Sequence, residues 1–164
     1  MNILYKSELQ TFIGNISLFF NEKGLIKVGM TSSFDAKWHR KYFYNAVIKL
    51  SNDNIYISQL KEYFKRKRKK FEFPIFLFGT KFQKEVWKFV YEIPFGKTMS
   101  YLEVAKNIKR KTAQRAVGNA LAKNPLLIVI PCHRVIMSNG NLGGFSAGIE
   151  IKKQLLTFEK ENLK

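Results

Sequence analysis

Residues 126–148 read LLIVIPCHRVIMSNGNLGGFSAG and combine an aliphatic run, the only cysteine of the chain and a glycine-rich end. The run Leu126–Ile130 predicts a buried β-strand, and Pro131 ends it. Cys132 and His133 follow at once. The sequence therefore sets a thiol beside an imidazole at the point where a core element ends.

Two interpretations of Cys132 are open at this stage, a small hydrophobic core residue and a nucleophile. A nucleophilic thiol needs a base, and the base needs a partner that orients it. Adjacent side chains of an extended segment point apart, so we expect a proton to pass from Cys132 to His133 through a bridging water. Glu159 in the last predicted helix is the candidate partner of the imidazole, and an ordinary surface carboxylate is the alternative.

The composition of the 164-residue chain limits the number of domains, the kinds of metal or disulfide site and the cellular compartment that we expect. A hydrophobic content of 46% is sufficient for a folded core, in one domain or two small ones. One cysteine excludes an internal disulfide and any zinc site built from several thiolates, and it favours a reducing compartment. We expect a soluble, cytoplasmic protein, because neither a signal peptide nor a run of about 18 apolar residues occurs.

The net charge of +17, from 29 lysines and arginines against 12 acidic residues, predicts a polyanionic partner. Nucleic acid is favoured over a membrane surface, because no long helix combines a basic face with an apolar one. The basic run Lys65–Lys70 fits either a patch that binds along the DNA backbone or a solvated loop, and we favour the solvated loop. We expect a plain surface role for His39.

The residues before the basic run predict a small strand-rich domain. The segments GNISLFF and LIKVGM flank NEKG, which is a hairpin signal, and Ile57, Leu60, Tyr63 and Phe64 share one face of a predicted helix. We therefore expect a mixed α/β (α+β) chain with two domains. Residues 1–75 form the strand-rich domain, and residues 76–164 form a mostly helical domain.

Two capping boxes open helices in the second half, Thr80 with Gln83 and Ser100 with Glu103. The residues expected to face inward from the first of these helices are Phe82, Val86, Phe89 and Val90. Thr112 is the candidate N-cap of a third helix, AQRAVGNALA. Its predicted inward face consists of Ala113, Ala116, Val117, Ala120 and Leu121. The second and third helices, joined by a short turn, form a helix-turn-helix pattern, and the final helix covers roughly residues 149–161.

The third helix differs from most recognition helices in its small side chains. Arg115 is its one long cation, and Gly118 weakens a helix interior by about 1 kcal/mol relative to alanine. Small residues permit close approach to a narrow minor groove, whereas readout of the major groove uses long polar side chains. Packing of the alanines against the second helix is the alternative explanation.

The segments IPCHRVI and GNLGGFSAG together resemble the active-site segment of the O6-alkylguanine-DNA alkyltransferases, the methylated-DNA–protein-cysteine methyltransferases. The resemblance extends through GTKFQKEVWKFVYEIPFGKTMSYLEVAKNI, RAVGNALAKNP and LLTFE. It covers the C-terminal half, and it implies that the N-terminal domain is ribonuclease H-like. It also implies direct repair of O6-alkylguanine in double-stranded DNA, with irreversible transfer of the alkyl group to the protein in a single turnover.

The resemblance assigns roles to individual residues. Cys132 is the implied acceptor, His133 the water-mediated base and Glu159 the group that orients the imidazole. Asn124 matches an asparagine that braces the active-site turn, and a helix C-cap is its alternative role. Tyr101 matches a tyrosine that helps to rotate the nucleotide, with core packing as the alternative.

The same resemblance implies a DNA-binding helix and a base pocket. Arg115 resembles the finger that fills the space left by the extruded base, and a phosphate contact is its alternative. The other implied DNA-binding residues are Thr112, Gln114, Ala116, Gly118 and Asn119. The implied pocket residues are Val135, Gly143, Gly144, Phe145 and Ser146. Some members have tyrosine in place of Phe145, and phenylalanine supplies no hydroxyl donor to guanine O6.

No cofactor or metal is implied, because the members with an N-terminal zinc use cysteines that this chain lacks. The expected partner is double-stranded DNA carrying O6-alkylguanine, bound by a monomer without a membrane, and O4-alkylthymine is left open as a second substrate. Three competing functions are a non-catalytic module that recognises alkylated DNA, a cysteine hydrolase and an architectural DNA-binding protein. The presence of Cys132 argues against the recognition module, whose known members replace it.

Overall fold

The computed structural model of the chain describes residues 3–33 and 43–161, and it begins with a four-stranded sheet. The strands are β1 (Ile3–Thr11), β2 (Gly14–Asn21), β3 (Gly24–Met30) and β4 (Val47–Leu50), in the order β3-β2-β1-β4. Neighbouring strands among the first three are antiparallel, and β4 is parallel to β1. The predicted hairpin between β2 and β3 is confirmed, with Asn21 opposite Gly24.

Helix α1 (Ile55–Phe64) supplies the apolar face that packs with the sheet. Ile57, Leu60 and Tyr63 are buried as the helical period predicts, whereas Phe64 is only half-buried. The segment after the basic run belongs to the same core. Its backbone joins the sheet through Pro74, whose carbonyl accepts from the Leu25 amide at 2.9 Å.

The second half of the chain is mostly helical. Its elements are α2 (Lys81–Tyr91), β5 (Met99–Ser100), α3 (Tyr101–Asn107), α4 (Gln114–Ala122), β6 (Val135–Ile136) and α5 (Ile149–Glu161). Both predicted capping boxes are present, at Thr80 with Gln83 and at Ser100 with Glu103. The predicted mixed α/β fold is therefore confirmed.

The buried face of α2 is rotated relative to the prediction. Val86 and Val90 are buried, but Phe82 and Phe89 are only half-buried. Trp87 lies on the inner face instead, 1% exposed, and its indole N–H donates to the carbonyl of Ala120 at 2.9 Å. The rotation follows from the packing of α2 against α4, which presents a carbonyl that an indole can satisfy and a phenyl ring cannot.

The start and the inner face of α4 also differ from the prediction. Ala113, not Thr112, is the N-cap, and no side chain caps the helix. The chain reaches α4 through a turn in which the Ala113 amide donates to the carbonyl of Arg110. The helix therefore begins one residue later than it would with Thr112 as its N-cap. Val117, Ala120 and Leu121 are buried, whereas Ala116 is exposed.

The predicted strand over Leu126–Ile130 is wrong. These residues form a buried turn, in which the Ile130 amide donates to Leu126 at 2.9 Å and Ile128 has a φ of +71°. The aliphatic run is buried as expected, but its backbone turns back instead of continuing as an extended strand. A 3₁₀ turn, Cys132–Arg134, follows and leads into β6, which pairs in parallel with β5.

The chain divides into two compact units, Met1–Phe76 and Leu77–Lys164. The predicted division into domains of residues 1–75 and 76–164 stays a prediction. Over residues 3–33 and 43–161, no helix is long and apolar enough to cross a membrane. His39 lies outside the described residues.

Candidate active site

Cys132 lines a cavity in the second unit, and its thiol contacts the side chain of Asn124. The residue is 4% exposed and lines a cavity of about 530 Å³. The other lining residues are Tyr101, Gln114, Arg115, Gly118, Leu121, Ala122, Met137, Gly143, Gly144, Phe145 and Ser146. A flat group that enters this cavity can therefore reach the sulfur.

The amide of Asn124 connects the thiol to the buried turn. Its Nδ2 lies 3.1 Å from Sγ of Cys132 and 2.9 Å from the carbonyl oxygen of Ile130. Its Oδ1 accepts from the Leu126 amide at 2.9 Å. The side chain therefore fixes the turn as well as the sulfur. The C-cap of α4 is Lys123, so the alternative role of Asn124 as that C-cap is not observed.

The residue after Cys132 is His133, whose imidazole meets the carboxylate of Glu159. The Nε2 of His133 lies 2.9 Å from Oε1 of Glu159, and both side chains are fully buried. The surface-carboxylate alternative for Glu159 is thereby excluded. An Nε2–H that donates to the carboxylate leaves Nδ1 with a lone pair, and Nδ1 is buried without a hydrogen-bond partner in the described part of the chain.

Arg134 completes this cluster, although no separate role was predicted for it. Its Nε donates to Oε2 of Glu159 at 2.9 Å, and its Nη2 donates to Oε1 at 2.8 Å. The amide of Gly96 also donates to Oε2, at 3.0 Å. The carboxylate is therefore held in one orientation by a bidentate guanidinium and a backbone amide.

The pKa shifts follow from burial and from these contacts. Burial raises the pKa of the Cys132 thiol, although the hydrogen bond from Asn124 partly opposes this. Burial lowers the pKa of His133 despite the neighbouring Glu159. Burial alone would raise the pKa of Glu159, but His133 and Arg134 outweigh it and hold that pKa well below its ordinary value. The resting cluster is thus a protonated thiol, a neutral imidazole and a carboxylate.

Lys152 is a functional candidate that the sequence interpretation missed. It is fully buried, and its Nζ donates to the carbonyl of Val135 at 2.6 Å and to that of Gly144 at 3.4 Å. Burial lowers its pKa to about 8, with the Cys132 thiolate opposing the shift. A signal was available, because Lys152 precedes the buried Leu155 by three residues on one face of α5.

The first turns of α3 and α4 bring further predicted residues to the cavity. Tyr101, Gln114, Arg115 and Gly118 line it. The hydroxyl of Tyr101 donates to the carbonyl of Gly144 at 3.4 Å. The remaining predicted DNA-binding residues, Thr112, Ala116 and Asn119, are exposed but do not line the cavity.

The loop after β6 forms another part of the cavity wall, with four of the five predicted pocket residues, Gly143, Gly144, Phe145 and Ser146. Gly143 has a φ of +71°, and a Cβ there would lie 3.1 Å from the Tyr101 hydroxyl, so glycine is required on both counts. Val135 does not line the cavity. It is fully buried, and its carbonyl holds Lys152 instead.

Two family models together match nearly the whole chain. The model of the 6-O-methylguanine DNA methyltransferase DNA binding domain matches residues 81–161, and the model of the ribonuclease-like domain of the same family matches residues 4–77. In the described ranges, no group of three histidine, cysteine, aspartate or glutamate side chains is arranged to hold a metal ion.

Individual relatives agree with these matches. A methylated-DNA–protein-cysteine methyltransferase of Methanosarcina barkeri is 40% identical over 168 residues, which cover 98% of this chain and 100% of the relative. The inducible methyltransferase of the same name from Bacillus subtilis is 40% identical over 164 residues, covering 96% of this chain and 90% of the relative. The crystal structure of Mycobacterium tuberculosis OGT in complex with DNA has a TM-score of 0.86 and 33% identity, covering 96% of this chain and 94% of that one. The chain thus belongs to the 6-O-methylguanine DNA methyltransferase family.

Proposed function

We propose that this protein repairs alkylated DNA directly, by transferring the alkyl group of O6-alkylguanine to Sγ of Cys132. The observation that carries the proposal is the position of this sulfur. Cys132 lines a cavity of about 530 Å³, its Sγ contacts the Asn124 amide, and the next residue of the chain, His133, is paired with Glu159 in the buried interior. Family membership supports the reaction, and the geometry supports the role that we propose for each residue.

The thiol must first lose its proton, because burial raises its pKa. His133 accepts the proton at Nδ1 through a bridging water, since its Nε2 faces Glu159. The imidazolium that forms is stabilised by a carboxylate that Arg134 already orients. Asn124 and the charge of Lys152 both favour the thiolate.

The thiolate then attacks the alkyl carbon in line with the carbon–oxygen bond. A sulfur–carbon bond forms while the bond to guanine O6 breaks, and its electron pair leaves with the base. Proton donation to the base makes it a better leaving group, and the Tyr101 hydroxyl, which lines the cavity, is our candidate donor. The product is a thioether, which no residue here can hydrolyse, so each molecule reacts once.

The base must leave the helix before it can enter the cavity. Extrusion costs a few kcal/mol, and less for a damaged, poorly paired base. Helix α4 presents Gln114, Arg115 and Ala116 as exposed side chains at its start, and we propose that Arg115 fills the space in the duplex. Thr112 and Asn119, exposed on the same segment, are proposed to contact the flanking backbone.

Three further properties belong to the proposal. The partner is double-stranded DNA that carries O6-alkylguanine, the active species is a monomer, and the protein acts in the cytoplasm. The monomer is supported by the location of Tyr101, Asn124, Cys132, His133 and Glu159, all within one unit of one chain. Sedimentation of the protein with one equivalent of a short lesion duplex tests the monomer, and a 2:1 complex would contradict it.

A duplex oligonucleotide with one O6-methylguanine tests the reaction. We expect the peptide that contains Cys132 to gain the mass of one methyl group, and the DNA to retain unmodified guanine. Cys132→Ala is the matched variant, for which we expect lesion binding without transfer. Tight lesion binding by the wild type with an unmodified Cys132 would instead indicate a recognition module.

A further inference from the structure

We infer that the loop Lys65–Lys70 of the N-terminal unit is a second DNA contact, which binds backbone phosphates without regard to sequence. The proposed reaction leaves this unit without a task. Residues 1–76 nevertheless carry 14 lysines and arginines against six acidic residues, a net charge of +8. Six of these 14 cations are consecutive in the loop.

The loop is not a freely moving run of charges. Its start is tied to the end of α1, because the Lys65 amide donates to Lys61 at 2.9 Å and the Lys67 amide donates to Glu62 at 2.8 Å. The aromatic residues that flank the loop are buried, since Tyr63 is 0% exposed and Phe71 is 6% exposed. A loop anchored at both ends loses less conformational entropy when it binds than a free tail does.

Arg68 explains how six consecutive cations share one short loop. Its side chain folds inward, and Nε lies 2.7 Å from Oε2 of Glu62. Its Nη1 donates to Oε2 of Glu72 at 3.2 Å and to the carbonyl of Lys70 at 2.9 Å. One cation of the run thus engages both nearby carboxylates and also holds the loop backbone.

The side chains that remain face water. Lys65, Arg66, Lys67, Lys69 and Lys70 are all exposed. Because five cations of one short loop are exposed, its outer surface is a dense positive patch. Such a patch fits a row of phosphates, whose binding releases condensed counterions.

DNA is the partner that the rest of the chain favours, and to this extent the inference rests on the proposed function. A unit tethered to DNA by its neighbour meets further phosphates at a high effective concentration, so even a weak contact adds affinity. A membrane surface is disfavoured, because the loop is not an amphipathic helix and the adjoining Phe71 is buried in the core.

The test compares two double variants with the same change in net charge. Lys65→Gln with Lys67→Gln removes two loop charges, and Lys23→Gln with Lys49→Gln removes two exposed charges elsewhere in the unit. Affinity for an unmodified duplex is measured by fluorescence anisotropy at several salt concentrations. We expect the loop variant to reduce the slope of log K against log salt by about 1.8, which corresponds to two phosphate contacts. The control is expected to keep nearly the wild-type slope.

Equal slopes for the two variants would overturn the inference, because they would show that only the overall charge matters. A loop variant that loses affinity for anionic lipid vesicles but not for DNA would overturn it in favour of a membrane contact. Methyl transfer from saturating lesion duplex is measured in parallel and is expected to be unchanged in both variants. Failure of transfer in the wild type would count against the proposed reaction, not against the loop. Thermal melting checks that both variants are folded.

Discussion

Glu159 is the residue on which the buried cluster depends. Its two carboxylate oxygens accept from Arg134 and the Gly96 amide and meet the imidazole of His133. A buried guanidinium without its counter-charge is costly, so removal of this one carboxylate affects folding as well as chemistry. The two effects can be separated by pH.

We expect Glu159→Gln to lower the free energy of unfolding by about 3–5 kcal/mol, because Arg134 keeps its buried charge and loses its partner. Urea unfolding at neutral pH measures the loss, and Glu150→Gln, at the exposed start of α5, is the control. The pKa of Glu159 is lowered on folding, so its contribution is complete above the ordinary glutamate value of 4.5 and is lost as the pH falls below it. The difference between wild type and variant should therefore shrink below pH 4.5, and a constant difference would contradict this account.

Lys152 is predicted to favour the thiolate of Cys132 through its charge. In Lys152→Met, we expect alkylation of Cys132 by iodoacetamide, measured without DNA, to be slower than in the wild type at pH 7, where the lysine is charged. Because burial lowers the pKa of Lys152 to about 8, the two proteins should differ most below that pH and converge above it. The exposed neighbour gives the control, Lys153→Met, and an unchanged alkylation rate at pH 7 in Lys152→Met would exclude the electrostatic role.

At the scale of elements, the buried turn between α4 and the 3₁₀ turn at Cys132 sets the position of the sulfur. One amide, that of Asn124, contacts both ends of this turn and the thiol. The turn contains a β-branched residue, Ile128, in the left-handed region, which is a costly backbone conformation. The hydrogen bonds of Asn124 oppose that cost.

Asn124→Ala is expected to destabilise the protein by about 2–4 kcal/mol, because several partly buried hydrogen bonds are lost together. Methyl transfer should fall further than stability alone explains, since Sγ loses a donor that favours the thiolate. Chemical unfolding and single-turnover rates measure the two effects. Asn107→Ala removes one exposed asparagine hydrogen bond at the end of α3 and is the control, with little change expected. A stable Asn124→Ala with a normal transfer rate would refute the bracing role.

Gly118→Ala tests whether the small residues of α4 serve packing or the DNA face. An added Cβ would lie 3.8 Å from Tyr101, an ordinary contact, so packing permits alanine. We expect the free energy of unfolding to rise by up to about 1 kcal/mol from helix propensity, while transfer from lesion DNA slows, because Gly118 lines the cavity. Gly29→Ala in β3, where an added Cβ would have no neighbouring atom within 4 Å, is the control for the rate of methyl transfer. A destabilised Gly118→Ala would favour the packing explanation.

The sequence predicted best what local patterns determine. Capping boxes at Thr80 and Ser100 and the burial of Leu60 follow from short-range spacing and were confirmed. The turn at Ile128 was mistaken for a strand, because an aliphatic run shows burial but not the backbone path. Trp87 was missed on α2 because its partner, the Ala120 carbonyl, lies 33 residues away.

The candidate active site shows the same difference between features that local sequence patterns predict and features that depend on distant contacts. Cys132, His133 and Glu159 were assigned from motif and resemblance, and the structure pairs His133 with Glu159. Arg134 and Lys152 were not assigned, since a cation usually faces water and only the folded chain shows what each one holds.

At the scale of the whole molecule, the proposed catalytic residues lie in one unit, whereas the excess of basic residues is shared by both. Residues 77–164 carry 15 basic and six acidic residues, a net charge of +9, which nearly equals that of residues 1–76. All five proposed catalytic residues lie in residues 77–164. The chain has one thiol and therefore one acceptor.

We expect the amount of repaired DNA to reach one lesion per protein molecule and then stop. Titration of lesion duplex against a fixed amount of protein, with the methylated peptide quantified by mass spectrometry, gives the ratio. Protein first treated with one equivalent of lesion duplex should repair none of a second addition. Continued repair beyond one equivalent would contradict the single-acceptor mechanism.

The enclosure of the Cys132 sulfur, which is only 4% exposed, has a consequence for the cell. A thiol kept protonated by burial reacts slowly with small electrophiles in the surrounding fluid, so unused copies persist until a fitting base arrives. Tolerance of an alkylating dose then scales with the number of stored copies rather than with any turnover speed. Resynthesis, not recycling, sets how soon a cell can withstand the next dose.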